Sequence, residues 1–260
     1  MSGITFDAGS LRRLRAVGRA ELTLLLRSRS AVFVALLMPV GMVAMSYSAS
    51  REMDLGDTGL TRMEAVLTGG IGTVLMLVVY LGLVPVLVAR REERVLKRLR
   101  TGELSDLEIL AGAALPSVVL ALAQCVVLVA AGALLLDVSA PRQPALMVLG
   151  VLLGAVLLAG LAAATAGVTR TVDSAQLTGM PLFMVSVVGS GLFVPLEVLP
   201  DRLADVFRML PLTGVVELVS GGWLGGLTAA EVGRAVALAL AWTALAGYAV
   251  RRWFRWEPRQ

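Results

Sequence analysis

Five stretches of this chain carry no charge and are long enough to cross a bilayer: Ala31–Ser50, Ala65–Ala89, Ile109–Leu136, Gln143–Thr169 and Ser174–Leu196. About 20 apolar residues in a helix span a hydrocarbon core. A sixth stretch, Ala235–Val250, is shorter. It reaches spanning length when its helix starts near Leu227 and takes Glu231 and Arg234 to the interface, where arginine snorkels. Charged residues make up only 16% of the chain, against about 25% in a soluble domain, and the apolar surplus has to face lipid. The expected fold is an all-α membrane protein, a single domain over residues 1–260. Six transmembrane helices are expected at about 30–50, 65–89, 106–136, 144–169, 174–194 and 227–250.

Two segments fall outside these spans. At 100° per residue, Leu11, Leu14, Val17, Leu22, Leu25 and Leu26 share one face, with Arg12, Arg15 and Arg19 opposite and Arg27 closing the segment. This predicts an interfacial amphipathic helix over 11–27, basic side to the headgroups. Glu21 lies on its apolar side and points to a protein contact there. Residues 195–226 mix apolar and polar residues, with Pro195, Pro200 and Pro211 at element starts and a Gly-rich run at 221–226. Short helices broken in this way predict a segment that dips into the membrane from the outer side and returns. Trp223, Trp253 and Trp256 suit the water–lipid boundary.

Within the spans, Pro39 and Pro85 are expected to bend their helices, and Pro116 lies inside the third. Gly69, Gly70, Gly72 and Gly82, and then Gly150, Gly154, Gly160 and Gly167, predict close helix–helix approach.

The only long charged segment in the interior is Arg90–Gly112. It is too polar for lipid and must stand in water between the second and third spans. Val95, Leu96 and Leu99 recur among its charges at helical spacing. Ser105 followed by Glu108 reads as a capping box that opens the next helix. A solvated loop with a tethering helix is the plainer reading of this charged elbow; a protein-docking surface is the sharper one. Seventeen of the 23 Lys and Arg fall on one side of a six-span layout, in 1–30, 90–108, 170–173 and 251–260. The positive-inside rule therefore assigns both termini and the elbow to the cytoplasm. The same distribution at span ends argues against nucleic acid as a partner, despite a pI near 10. Arg outnumbers Lys 22 to 1, a bias that suits a GC-rich bacterial genome.

The chemistry that is missing narrows the function. There is no histidine, and the single Cys125 excludes an intrachain disulfide. No GxxxxGK[ST] loop is present to hold ATP, and there is no GxSxG, no HExxH and no metal-ligating cluster. Paired carboxylates within spans, which mark ion-coupled pumps, are lacking too. No cofactor or metal is expected on this chain. Polar groups in the second and fifth spans, Thr73, Tyr80, Ser186 and Ser190, are candidates for lining a pathway; hydroxyls that merely pack helices are the plainer reading.

The run from Glu93 through Arg94, Val95, Leu96, Lys97, Arg98, Leu99 and Arg100 to Leu104-Ser105 and Glu108-Ile109-Leu110 resembles the cytoplasmic loop of ABC-2 type transporter membrane subunits. There the pattern is roughly ERExGTLKRLRATPLSxxEIL. The N-terminal helix with Glu21 and Arg27, and Ser190-Gly191-Leu192-Phe193 before Pro195, resemble the same family over nearly the whole chain. The family's Gly-Thr before Leu-Lys is replaced by Val95 and its neighbour, and its Thr-Pro before Leu-Ser by Gly102-Glu103. A frequent Lys after the Glu-x-x-Leu is missing.

The resemblance implies a permease of a bacterial ABC exporter, similar to drug-resistance export permeases, in the cell membrane. It implies two cytosolic ATPase subunits holding ATP and Mg, and a second permease copy or a sister subunit. The elbow would be the coupling helix, with Val95, Leu96 and Leu99 packing in the ATPase cleft. Glu93, Arg94, Lys97 and Arg98 would pair at its rim, with the interfacial helix (Leu14, Arg19, Glu21, Arg27) alongside. A span interior so poor in polar groups suits an amphipathic or lipid-like substrate. The alternative is a membrane anchor or assembly subunit that recruits a cytosolic partner through the same loop.

Overall fold

The computed structural model describes residues 62–96, 105–135, 139–190 and 201–254, together with Gly41. The interfacial helix and the first span expected from the sequence lie outside the described residues, as do Lys97, Arg98, Leu99 and Leu104 of the elbow. Among the described residues the chain is helical without strands. Helix α1 (Arg62–Val74) runs through a π-helical segment (Leu75–Leu81) into α2 (Gly82–Glu92). Then follow α3 (Asp106–Leu135), α4 (Pro144–Val168), α5 (Val172–Gly189), α6 (Asp201–Phe207), α7 (Thr213–Leu224) and α8 (Ala229–Trp253).

Among the described residues, four helices are long and apolar enough to cross a membrane: Val66–Glu92, Asp106–Leu134, Pro144–Val168 and Ala229–Trp253. The 18-residue α5 is not among them, so the described residues carry four of the six expected spans. The second span is longer than expected: its helix continues past Ala89 through Arg90, Arg91 and Glu92.

Local sequence explains the helix starts. Pro144 occupies the first turn of α4, where its missing N–H costs nothing. The Ser105–Glu108 box forms as expected: the Ser105 N–H donates to Glu108 Oε2 at 2.8 Å, and the Glu108 N–H donates to Ser105 Oγ at 3.3 Å. Thr171 with Ser174 and Thr228 with Glu231 make the same reciprocal arrangement for α5 and α8. Such a cap contributes about 1 kcal/mol. Ser105→Ala is therefore expected to destabilise the start of α3 by about 1 kcal/mol, read as faster amide exchange over residues 106–109 with little change elsewhere.

Pro85 sits inside α2 and cannot donate to the carbonyl of Leu81, against which its ring presses. The turn just ahead widens instead: the Gly82 N–H reaches back to Leu77 O, five residues away. The backbone bond that the proline cannot make is thus accommodated one turn earlier, by the π segment.

Helix α4 is the centre of the bundle. It packs on α7 and α8, on the π segment and on α2. Its glycines make this possible. A Cβ at Gly150 would lie 2.9 Å from Leu218 Cβ, and one at Gly154 would lie 2.7 Å from Val215 Cγ1, both on α7. Further along, a Cβ at Gly160 would meet Ala246 Cβ at 3.3 Å, and one at Gly167 would meet the Phe254 backbone at 3.3 Å. All four thus bring a neighbouring helix close, as expected of small residues in lipid. The outward stripe of α4, Val148, Leu149, Leu152 and Val156, is exposed and apolar. That is the surface a lipid-facing helix presents.

The segment after α5 forms two short helices. The Thr213 hydroxyl donates to Phe207 O at 2.7 Å, linking α6 to α7. The N–H groups of Arg142 and Gln143 donate to Trp223 O and Gly222 O at 3.0 and 2.8 Å, stitching the end of α7 to the loop before α4. An ion pair between Arg234 and Glu217 joins α7 to α8.

Candidate functional site: the charged elbow and its anchorage

The elbow leaves the bundle from the end of α2. Leu83, Val84, Leu87 and Val88 are buried along this helix, and Arg91 continues their stripe at the same spacing. Its side chain is therefore carried inward, to 1% exposure. A buried guanidinium stays charged and needs acceptors. It finds them at the end of α4: Nη1 donates to Ala166 O at 2.8 Å, and Nη2 donates to Thr169 O at 2.6 Å and Arg170 O at 3.1 Å. These are carbonyls that the helix itself leaves unsatisfied, at the negative end of its dipole.

The next residue does the converse. Glu92 Oε1 accepts from the Val172 N–H at 3.2 Å, the first helical residue of α5 and the positive end of that dipole. A cation and an anion adjacent in sequence thus hold opposite helix ends across a three-residue turn.

Beyond Glu92 the chain reverses. The N–H groups of Glu93 and Arg94 donate to Ala89 O and Arg91 O at 2.9 and 3.1 Å. Arg94 takes φ 59°, the left-handed conformation that usually ends a helix on glycine. It stands beside Val95 where the resembling pattern carries Gly-Thr. A side chain in this region costs roughly 1–2 kcal/mol, part of which glycine gives back in unfolded-state entropy. Arg94→Gly is therefore expected to raise stability by up to about 1 kcal/mol, checked by chemical or thermal unfolding in detergent.

The structure divides the expected docking residues. Glu93 and Arg94 are exposed, Val95 is half-buried, and Ser105 is exposed beside its capping partner Glu108. Leu96 is different: it is wholly buried in the chain's own core, together with Leu87, Ile109 and Ala113. Its apolar side chain plugs the elbow into the bundle and does not lie open for a partner's cleft.

The four pathway candidates, Thr73, Tyr80, Ser186 and Ser190, are all buried. Thr73 Oγ1 donates back to Gly69 O at 2.8 Å within its own helix. Tyr80, on the π segment, donates to Gly179 O on α5 at 3.3 Å and shares a 3.1 Å hydrogen bond with Thr165 Oγ1 on α4. Ser186 lies in the last turn of α5 and Ser190 caps its end, the Ser190 N–H donating to Ser186 O at 3.0 Å. Tyr80 thereby ties three helices, a packing role.

Arg91 is the residue that the sequence concealed among five other basic neighbours. The available signal was its register, seven residues after Val84 and four after Leu87.

Comparison with curated proteins finds no match. Residues 49–249 match the family model for the ABC-2 family transporter proteins, a range that takes in the elbow and every helix described above except the last residues of α8. With helices fit to cross a membrane several times and a match over most of its length, the chain belongs to the ABC-2 family transporter proteins: it is a multi-pass, membrane-spanning subunit of an ABC transporter, a family that works with an ABC ATPase partner.

Proposed function

We propose that this chain is the permease subunit of an ATP-driven bacterial exporter, moving an amphipathic or lipid-like substrate out of the cytoplasm. ATP and Mg are held by two separate ATPase subunits, and a second permease copy or a sister chain completes the pathway. The elbow lies on the cytoplasmic side with both termini and receives the ATPase there. The observation that carries this reading is the elbow itself: an exposed charged reversal at Glu93 and Arg94, anchored on one side by Arg91 and on the other by Leu96. A loop meant only to join two spans would not need such fixing.

The exposed charges give the docking surface its selectivity, as rim charges do at protein interfaces. The burial of Thr73, Tyr80, Ser186 and Ser190 inside one chain supports a scaffold role for them. A pathway between two copies would then be lined by apolar surfaces, in keeping with an amphipathic substrate.

The test is co-expression with the ABC ATPase from the same gene neighbourhood. Glu93→Lys combined with Arg94→Glu, a charge reversal on exposed positions, is expected to leave the permease folded and to lose the ATPase on purification. Undiminished co-purification would remove the elbow from the interface. Sidedness is checked separately, with a cysteine at Arg94 and Cys125→Ala: an impermeant maleimide should label it only after cells are opened.

A further inference from the structure

We infer that Arg91 and Glu92 act as a clamp that makes the elbow, the end of α4 and the start of α5 a single mechanical body, so that displacement of the elbow is delivered to two helices with no share in that loop. The inference rests on the coupling role proposed above, but its geometric half stands apart from it.

Helices α4 and α5 are separated only by residues 169–171. Arg91 grips the last carbonyls before that turn and inside it, and Glu92 grips the first helical N–H after it. Each charge matches the sign of the helix end it holds. A guanidinium fork is directional, and three carbonyls on three different residues leave it one orientation. The turn therefore cannot slide along α2 without breaking charge-assisted bonds, those from Arg91 to Ala166 and Thr169 being buried away from water.

The elbow is equally constrained on its far side. Leu96 is sunk in the core, and the left-handed Arg94 folds the chain back between the two anchors. Between Arg91 and Leu96 the exposed part is a short, braced reversal. A single arginine capping one helix would explain Ala166 and Thr169, but it would not explain an exposed carboxylate committed to the neighbouring helix of the same turn.

The clamp is tested by distance measurement between spin labels. The background is Cys125→Ala, which removes the only cysteine. Labels replace Arg94 and Asp173, both exposed, and the protein sits in lipid nanodiscs. One narrow distance peak is expected. Arg91→Met and Glu92→Ala should each lose it to a broad distribution, while Arg91→Lys, which keeps the charge without the fork, should fall between. A peak left narrow by both substitutions overturns the clamp. Should Arg91→Met fail to fold, the exposed Glu92→Ala carries the test alone.

The transmission step is read on the purified complex with its ATPase. Vanadate trapping with ATP should shift the Asp173–Arg252 and the Asp106–Arg252 distances together, Asp106 being an exposed elbow position outside the docking charges. In Arg91→Met the first shift should vanish while the second persists. Both shifts surviving in that variant overturns transmission through the clamp. No response from either pair in the background protein, with the narrow Arg94–Asp173 peak intact, overturns the coupling role and leaves the clamp standing.

Discussion

Aspartate in place of Leu96 is expected to destabilise the chain by about 3–5 kcal/mol, the size of an uncompensated buried charge. The residue has no exposure to solvent and sits among aliphatic neighbours, so the carboxylate would have neither water nor a cation to meet. Leu96→Ala removes the same contacts without adding charge and should cost about 2–5 kcal/mol, depending on how far the site collapses. Since whole domains are stable by only about 5–15 kcal/mol, Leu96→Asp should reduce the yield of folded protein as well as the melting temperature. Thermal unfolding in detergent, read for both variants, checks this. If Leu96→Asp melts with the parent chain, Leu96 belongs on the outside of the elbow after all.

The second large effect comes from adding a few atoms. A Cβ at Gly222 would stand 2.5 Å from the Met147 backbone nitrogen and 2.8 Å from its Cα. Backbone cannot step aside as a flexible side chain can, and Gly222 O is also the acceptor that holds Gln143 in place. Gly222→Ala is expected to cost about 1–3 kcal/mol, the range for overpacking, and Gly222→Leu should prevent α7 from seating on α4. The control has the opposite sign. A Cβ at Gly233 or Gly247 meets nothing within 4 Å, and both lie in the helical interior of α8. Alanine there should be neutral or stabilise by about 0.5–1 kcal/mol. One assay on three glycine-to-alanine variants therefore separates contact from propensity.

How much of this could be read in the sequence depends on the range of the cause. Four of the expected spans, the second, third, fourth and sixth, were legible because crossing lipid is a property of a segment by itself. The Ser105–Glu108 cap was legible because its partners lie three residues apart. The glycines of α4 announced close neighbours, although not which ones: α7 for Gly150 and Gly154, α8 and its end for Gly160 and Gly167. Arg91 was not legible in its role, because its acceptors lie at least 75 residues away and only the folded bundle brings them near. In a charged run, one arginine looks like the next. Leu96, expected to pack in a partner's cleft, lies in the chain's own core, because a helical stripe states that a face is covered and not by what. The π segment left no pattern at all. It is one extra residue absorbed into a turn ahead of a proline, and apolar composition does not register it. At the end of α5 the expected span ran to about residue 194, while the described helix stops at Gly189.

The enclosure of α4 from two sides has a bearing on biogenesis. The first half of this helix is covered by residues 213–224 and the second half by residues 229–254, all made later by the ribosome. A nascent chain that has inserted α4 through the translocon therefore holds bare glycine-notched flanks until residue 254 has been made. Truncation ahead of Ala229 should leave a product that membrane quality-control proteases recognise, whatever the state of the segments before it.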